Sequence, residues 1–142
     1  MRIKDVLRRK GDAVVTISPD QPVSALLDAL AEHKVGALVV AGADGGVDGI
    51  VSERDVVRHL QAHGADVLDQ PVSGIMTSPV HTAEPETTLE ELMVLMTERR
   101  FRHVPVVVDG RLAGIISIGD VVKHRIEELQ SERDQLTAYI SS

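Results

Sequence analysis

The chain has 142 residues, a formal net charge of −7, 43% hydrophobic residues and no cysteine. The acidic surplus argues against non-specific binding to DNA or to an anionic membrane, since both need a basic face. Without cysteine there are no disulfides and no thiolate chemistry, and with Phe101 and Tyr139 as the whole aromatic complement base stacking on aromatic platforms is not expected. The core must come from Val, Leu, Ile, Met and Ala. No apolar run approaches ~18 residues and residues 1–5 carry no apolar leader, so the expected location is the cytoplasm.

In chain order, residues 3–7 read as a short amphipathic leading segment. Residues 14–17 are a β-rich run, closed by Ser18-Pro19-Asp20. A helix is predicted over 23–33, with Leu26, Leu27 and Leu30 as its apolar stripe and Gly36 as its stop. Residues 37–40 form a strand, 41–48 a glycine-rich turn and 49–51 a second strand. Ser52 and Asp55 stand where a helix begins, with Val56, Val57 and Leu60 on its buried face. Residues 64–71 link this unit to the next. The order then repeats: strand 80–83, helix 86–99, strand 104–108, turn at Asp109-Gly110, strand 112–117, helix from Asp120. Thr87-Thr88 ahead of Glu90-Glu91 predicts a capped helix start with acids at the positive dipole end.

The repeat is literal. Gly49-Ile50-Val51-Ser52-Glu53-Arg54-Asp55-Val56-Val57 returns as Gly114-Ile115-Ile116-Ser117-Ile118-Gly119-Asp120-Val121-Val122. Thr16 falls on Thr82, Pro19 on Pro85, Val40 on Val106 and residues 3–7 on 72–76. One β-α-β-β-α unit used twice implies a pseudo-two-fold axis and two equivalent clefts. The fold class is α+β (α/β), divided as 1–66, 67–126 and a helical extension 127–142. In that extension Val122, Ile126, Leu129, Leu136 and Ile140 keep a 3–4 spacing interrupted by Arg133. It either packs on its own domain or forms a seam with a second subunit.

Ile75-Met76-Thr77, Val80-x-Thr82, Pro85, Arg102-His103-x-Pro105-Val106-Val107, Asp109-Gly110, Gly114-Ile115-Ile116-Ser117 and Asp120-Val121-Val122 resemble a cystathionine-β-synthase (CBS) domain, and residues 16–60 resemble another. Together they resemble the tandem pair, or Bateman module. The resemblance implies two intertwined repeats, clefts that take AMP, ADP or ATP and sometimes S-adenosylmethionine or NAD, and a disk-like homodimer regulating another protein. No obligatory cofactor and no catalysis are expected, and the net charge already argues against a nucleic-acid or membrane partner. On catalysis the residues agree, with no P-loop, no GxGxxG and no Ser/His/Asp order.

Asp55 and Asp120 can accept hydrogen bonds from a ribose diol, or they can cap a helix. Ser52 and Ser117 can bind phosphate beside a helix N-terminus, or serve in the same cap. Arg54 can reach a phosphate, whereas the second copy has Gly119 there, so the clefts are unequal. The resemblance places Arg102, His103 and Pro105 at the nucleotide, His103 toward phosphate; a lone His near a strand is otherwise a structural hydrogen-bonder. The cleft holding Asp120 and His103 is expected to bind more tightly. Thr16 and Thr82 either meet the nucleotide or are simply β-branched strand residues. The adenine is expected among Val, Ile and Ala. Arg99 and Arg100 read as a solvated helix end. His59 and His63 have metal-pair spacing but no evident third ligand, so an exposed polar face is the simpler reading.

Overall fold

The computed structural model describes residues 1–11 and 13–141. Asp12 and Ser142, which the sequence assigns to the first repeat and the helical extension, lie outside the described residues. The elements run α1 (Ile3–Lys10), β1 (Thr16–Ile17), α2 (Val23–His33), β2 (Ala37–Ala41), β3 (Val47–Ser52), α3 (Glu53–His63), α4 (Leu89–Arg99), β4 (His103–Val108), β5 (Arg111–Ser117) and α5 (Ile118–Ser141), with short 3-10 turns over Ala65–Asp69 and Val72–Gly74. The fold is α+β, as the apolar periodicities predict.

In the first half β2 lies between β1, its parallel neighbour, and β3, its antiparallel one, with Leu38 opposite Val51. In the second, β4 and β5 pair antiparallel with Val104 opposite Ile116. The predicted strand 80–83 shrinks to one bridge, from Ala83 to Val106. Ala83 donates to the Pro105 carbonyl at 2.9 Å and accepts from Val107 at 2.9 Å. Pro105 has no N–H, so the ladder cannot extend past it. Its counterpart Val39 does have one, and there a second residue pair forms, Thr16 opposite Val39.

Two apolar cores result. One gathers Ile17, Val23, Leu26, Leu38, Val40, Val51, Val56, Val67 and Val72. The other gathers Ala83, Leu89, Leu92, Met96, Val104, Val106, Ile116 and Val121, together with Ile3 and Val6 from α1. The leading segments therefore cross over. Ile3 and Lys4 donate backbone hydrogen bonds to Thr87 and Pro85 of the second half, both at 2.9 Å. Their counterparts Val72 and Ser73 donate to Gln21 and Pro19 of the first half, at 2.8 and 3.0 Å. Each half is thus closed by the segment that leads into the other. Gly49 and Gly114 permit this: a Cβ on Gly49 would lie 2.8 Å from Met76 Sδ, and one on Gly114 would lie 2.6 Å from Leu7 Cδ2.

Local departures have simple causes. Helix α2 stops at Lys34 rather than at Gly36, because Lys34 turns left-handed (φ 54°) and donates its N–H to Leu30. Arg100 ends α4 in the same conformation (φ 58°). Helix α4 starts at Leu89 because Thr88 is its N-cap, exchanging hydrogen bonds with Glu91 as the capping signature predicts. Val57 is 65% exposed and faces away from the core that Val56 enters. Along α5, Val121 and His124 are buried while Val122, Ile126, Leu129, Leu136 and Ile140 are exposed. The apolar stripe of this helix is therefore not used against its own domain.

Candidate nucleotide cleft

Each half ends in the same small construction. Ser52 precedes α3, and both its N–H (2.9 Å) and its Oγ (3.1 Å) donate to Asp55 Oδ2, while Asp55 N donates back to Ser52 Oγ at 3.3 Å. Ser117 and Asp120 repeat the pattern at 2.9, 2.9 and 3.1 Å. This is a reciprocal capping box, with serine as the cap and aspartate at the third helical position. The sequence allowed the aspartate itself to be the cap; the geometry gives that place to the serine. Both serine hydroxyls spend their single proton on the aspartate, which fixes the carboxylate's direction. Asp55 Oδ1 accepts nothing among the described residues.

A cavity of about 290 Å³ opens beside Asp55. Its wall comes from both halves: Gly36, Ala37, Ile50, Ser52, Arg54, Asp55 and Arg58 from the first, Arg100, Phe101, Arg102 and His103 from the second, with Thr77 between. Gly36-Ala37 and Arg102-His103 are equivalent positions of the two repeats, so the cavity lies where the starts of β2 and β4 meet. Arg54, Arg58, Arg100 and Arg102 converge there, and none forms an ion pair among the described residues. Against them stand the carboxylates of Glu53 and Asp55. A chain with a net charge of −7 thus concentrates positive charge at one opening.

Of the residues singled out in the sequence, Ser52, Arg54, Asp55, Arg102 and His103 meet in this wall. Thr16, Thr82, Pro105, Ser117 and Asp120 do not belong to it; Thr16 and Thr82 are exposed and Pro105 is buried. His103 thus lines the Asp55 cavity, where the sequence had grouped it with Asp120. Burial holds the imidazole of His103 below its ordinary value, the charges of Lys10 and Arg102 add to this, and Asp120 opposes it. The neutral ring is therefore favoured, able to donate one hydrogen bond but not a full charge.

Sequence reasoning missed Arg58 and took Arg100 for a solvated helix end. A signal for Arg58 was present, since it lies one helical turn beyond Arg54 and Asp55 and so on their face. Phe101, the single phenylalanine, lines the cavity beside Ala37 and Ile50, whereas the sequence expected only aliphatic walls. His59 and His63 stack with ring centroids 5.9 Å apart, and no group of three metal-ligating side chains forms among the described residues.

At Asp120 the surroundings differ. Lys10, the last residue of α1, donates to Asp120 Oδ2 at 2.6 Å and to the Ile115 carbonyl at 2.9 Å. Burial raises the Asp120 carboxyl, but the hydrogen bonds from Lys10 and Ser117 outweigh it and hold the group below its usual range.

Two repeats, each closed by the other's leading segment and sharing a cleft, form one interlocked tandem module rather than two separate domains. The CBS domain profile matches residues 3–62 and again 72–127. The chain belongs to the CBS domain family and carries the domain twice. Its relatives include the mitochondrial CBS domain-containing protein CBSX3 of Arabidopsis thaliana, 36% identical over 97% of this chain and 71% of that protein. A CBS-domain containing protein from Agrobacterium tumefaciens superposes with a TM-score of 0.85 at 51% identity, covering 88% of this chain and 99% of the other. CBSX2, solved in complex with AMP, superposes with a TM-score of 0.74 at 28% identity, over 89% and 96% of the two chains. No helix among the described residues is long and apolar enough to cross a membrane.

Proposed function

We propose that this protein is a non-catalytic regulatory module that binds an adenosine nucleotide in the Asp55 cleft. The observation that carries the reading is the convergence of a fixed carboxylate and four arginines, unpaired among the described residues, on one cavity built from both halves. Asp55, aimed by Ser52, accepts the ribose diol through its free Oδ1. Arg54, Arg58, Arg100 and Arg102 take the phosphates, and the neutral His103 donates one further hydrogen bond. The base packs among Ala37, Ile50 and Phe101. The AMP complex of CBSX2 supports the adenosine part of this assignment; the arginine surplus favours ADP or ATP over AMP.

Regulation follows from linkage. A ligand that touches both halves favours whichever arrangement brings them into register, and shifts that equilibrium by its differential affinity. The exposed stripe on α5 supports self-association into a homodimer, whose arrangement a regulated protein would read.

The test is thermal unfolding with AMP, ADP, ATP, S-adenosylmethionine and NADH. A ligand at ~100 times its dissociation constant stabilises by about 2.7 kcal/mol, a clear melting shift. The shift is expected with an adenine nucleotide and absent in Asp55→Ala. No shift across the panel, or one that Asp55→Ala leaves intact, overturns the assignment.

A further inference from the structure

The surroundings of Asp55 and Asp120 differ in the donor that meets one backbone carbonyl. In the first half the Ile50 carbonyl accepts the backbone N–H of Thr77 at 2.8 Å, in the chain segment just after Met76 covers Gly49. In the second half Leu7 covers Gly114 in the same way, but the chain continues as helix. The equivalent carbonyl, Ile115, then receives the ammonium of Lys10 instead, at 2.9 Å. A neutral backbone donor is replaced by a cation on a flexible stem. That cation also reaches Asp120 Oδ2, which now accepts three donors: Lys10 Nζ, Ser117 N and Ser117 Oγ. Asp55 Oδ2 accepts two, both from Ser52.

We propose that Lys10 is an internal occupant of the second cleft, reserving Asp120 and so limiting the chain to one nucleotide, held at Asp55. The inference rests on the reading of the clefts as nucleotide sites. Three observations support it. The ammonium sits 2.6 Å from Asp120 Oδ2 and so neutralises the carboxylate whose other oxygen, Oδ1, a ribose diol would need. Lys10 is presented by a helix whose Ile3 and Val6 are fully buried in the second core. That helix is further tied down by ion pairs from Lys4 to Glu86 (3.1 Å) and from Arg9 to Glu127 (3.2 Å). The lysine is thus held at the cleft by the fold. The second cleft also lacks the counterpart of Arg54, having Gly119 there, so it offers a displacing ligand less in return.

The experiment is titration calorimetry with AMP and, separately, ATP on the native protein, on Lys10→Met and on Lys10→Met/Asp120→Asn. Lys10→Gln serves as a second variant, and each must melt near the native temperature. One site per chain is expected in the native protein, two in Lys10→Met, and one again in the double variant. Two sites in the native protein, or one in both the native protein and Lys10→Met, overturns the role of Lys10 and leaves the Asp55 assignment standing. A site that exists only in Lys10→Met sustains the role of Lys10 and overturns the Asp55 assignment. Binding to neither overturns both.

Discussion

Replacing Ile3 by alanine should destabilise the half of the molecule that lies far from it in sequence. Ile3 is fully buried in the second core, which also holds Ala83, Leu89, Leu92 and Val121. The change removes three carbons, worth ~2.4 kcal/mol at about 0.8 per buried group. The remaining cavity adds to this, within the ~2–5 kcal/mol seen for large-to-small core changes. Against a total stability of ~5–15 kcal/mol this is a large fraction. A loss of about 3 kcal/mol corresponds to a melting decrease of roughly 6–12 °C. Urea unfolding gives the magnitude and native-state hydrogen exchange the place. Protection should fall first at amides of β4 and β5 and later at those of β2 and β3. A loss below ~1 kcal/mol, or exchange that rises first in β2 and β3, would refute the crossed packing of α1.

Arg58→Met and Arg100→Met should each weaken ATP binding by at least ~10-fold, as loss of a charged hydrogen bond of about 1.5–3 kcal/mol implies, while adenosine binding stays unchanged. Added salt should shrink the difference between ATP and adenosine in a calorimetric series. His103 should titrate below 6.5 by NMR and move upward in Lys10→Met, because burial and then Lys10 depress it. Since the unfolded chain takes up this proton first, stability should fall as pH drops through about 6.5. Lys34→Gly should raise stability by roughly 0.5–1 kcal/mol in urea titrations, by relieving the left-handed cap at φ 54°. It should leave nucleotide binding untouched, because Lys34 is outside the cavity wall.

Most of the fold was legible because each copy of the repeat carries its own periodicities. Helix α2 was found at both ends, and a capped start was recognised in Thr87-Thr88 and Glu90-Glu91, although only the structure picks Thr88 and Glu91 and moves the first residue of α4 from 86 to 89. What pattern cannot carry is which half a segment packs on. Residues 3–7 have the same amphipathic signature wherever they dock, so the crossing of α1 was hidden. The site was legible on the same terms. Ser52, Arg54 and Asp55 sit together in sequence and stayed together in space. Arg100 read as a helix end because its approach to Asp55 depends on two halves meeting, and the left-handed turn that aims it has no glycine to betray it. Lys10 was invisible for the same reason: its partner is Asp120, near the far end of the chain.

The crossed leading segments also fix when and how the molecule can come together. During synthesis the first core can close once Val72 and Ile75 emerge. Helix α1, made first, must wait for Val121 before its apolar face has a home, an interval of roughly 6–24 s at ~5–20 residues per second. Once closed, each half is held by the segment that leads into the other, so parting the halves uncovers apolar surface in both cores at once.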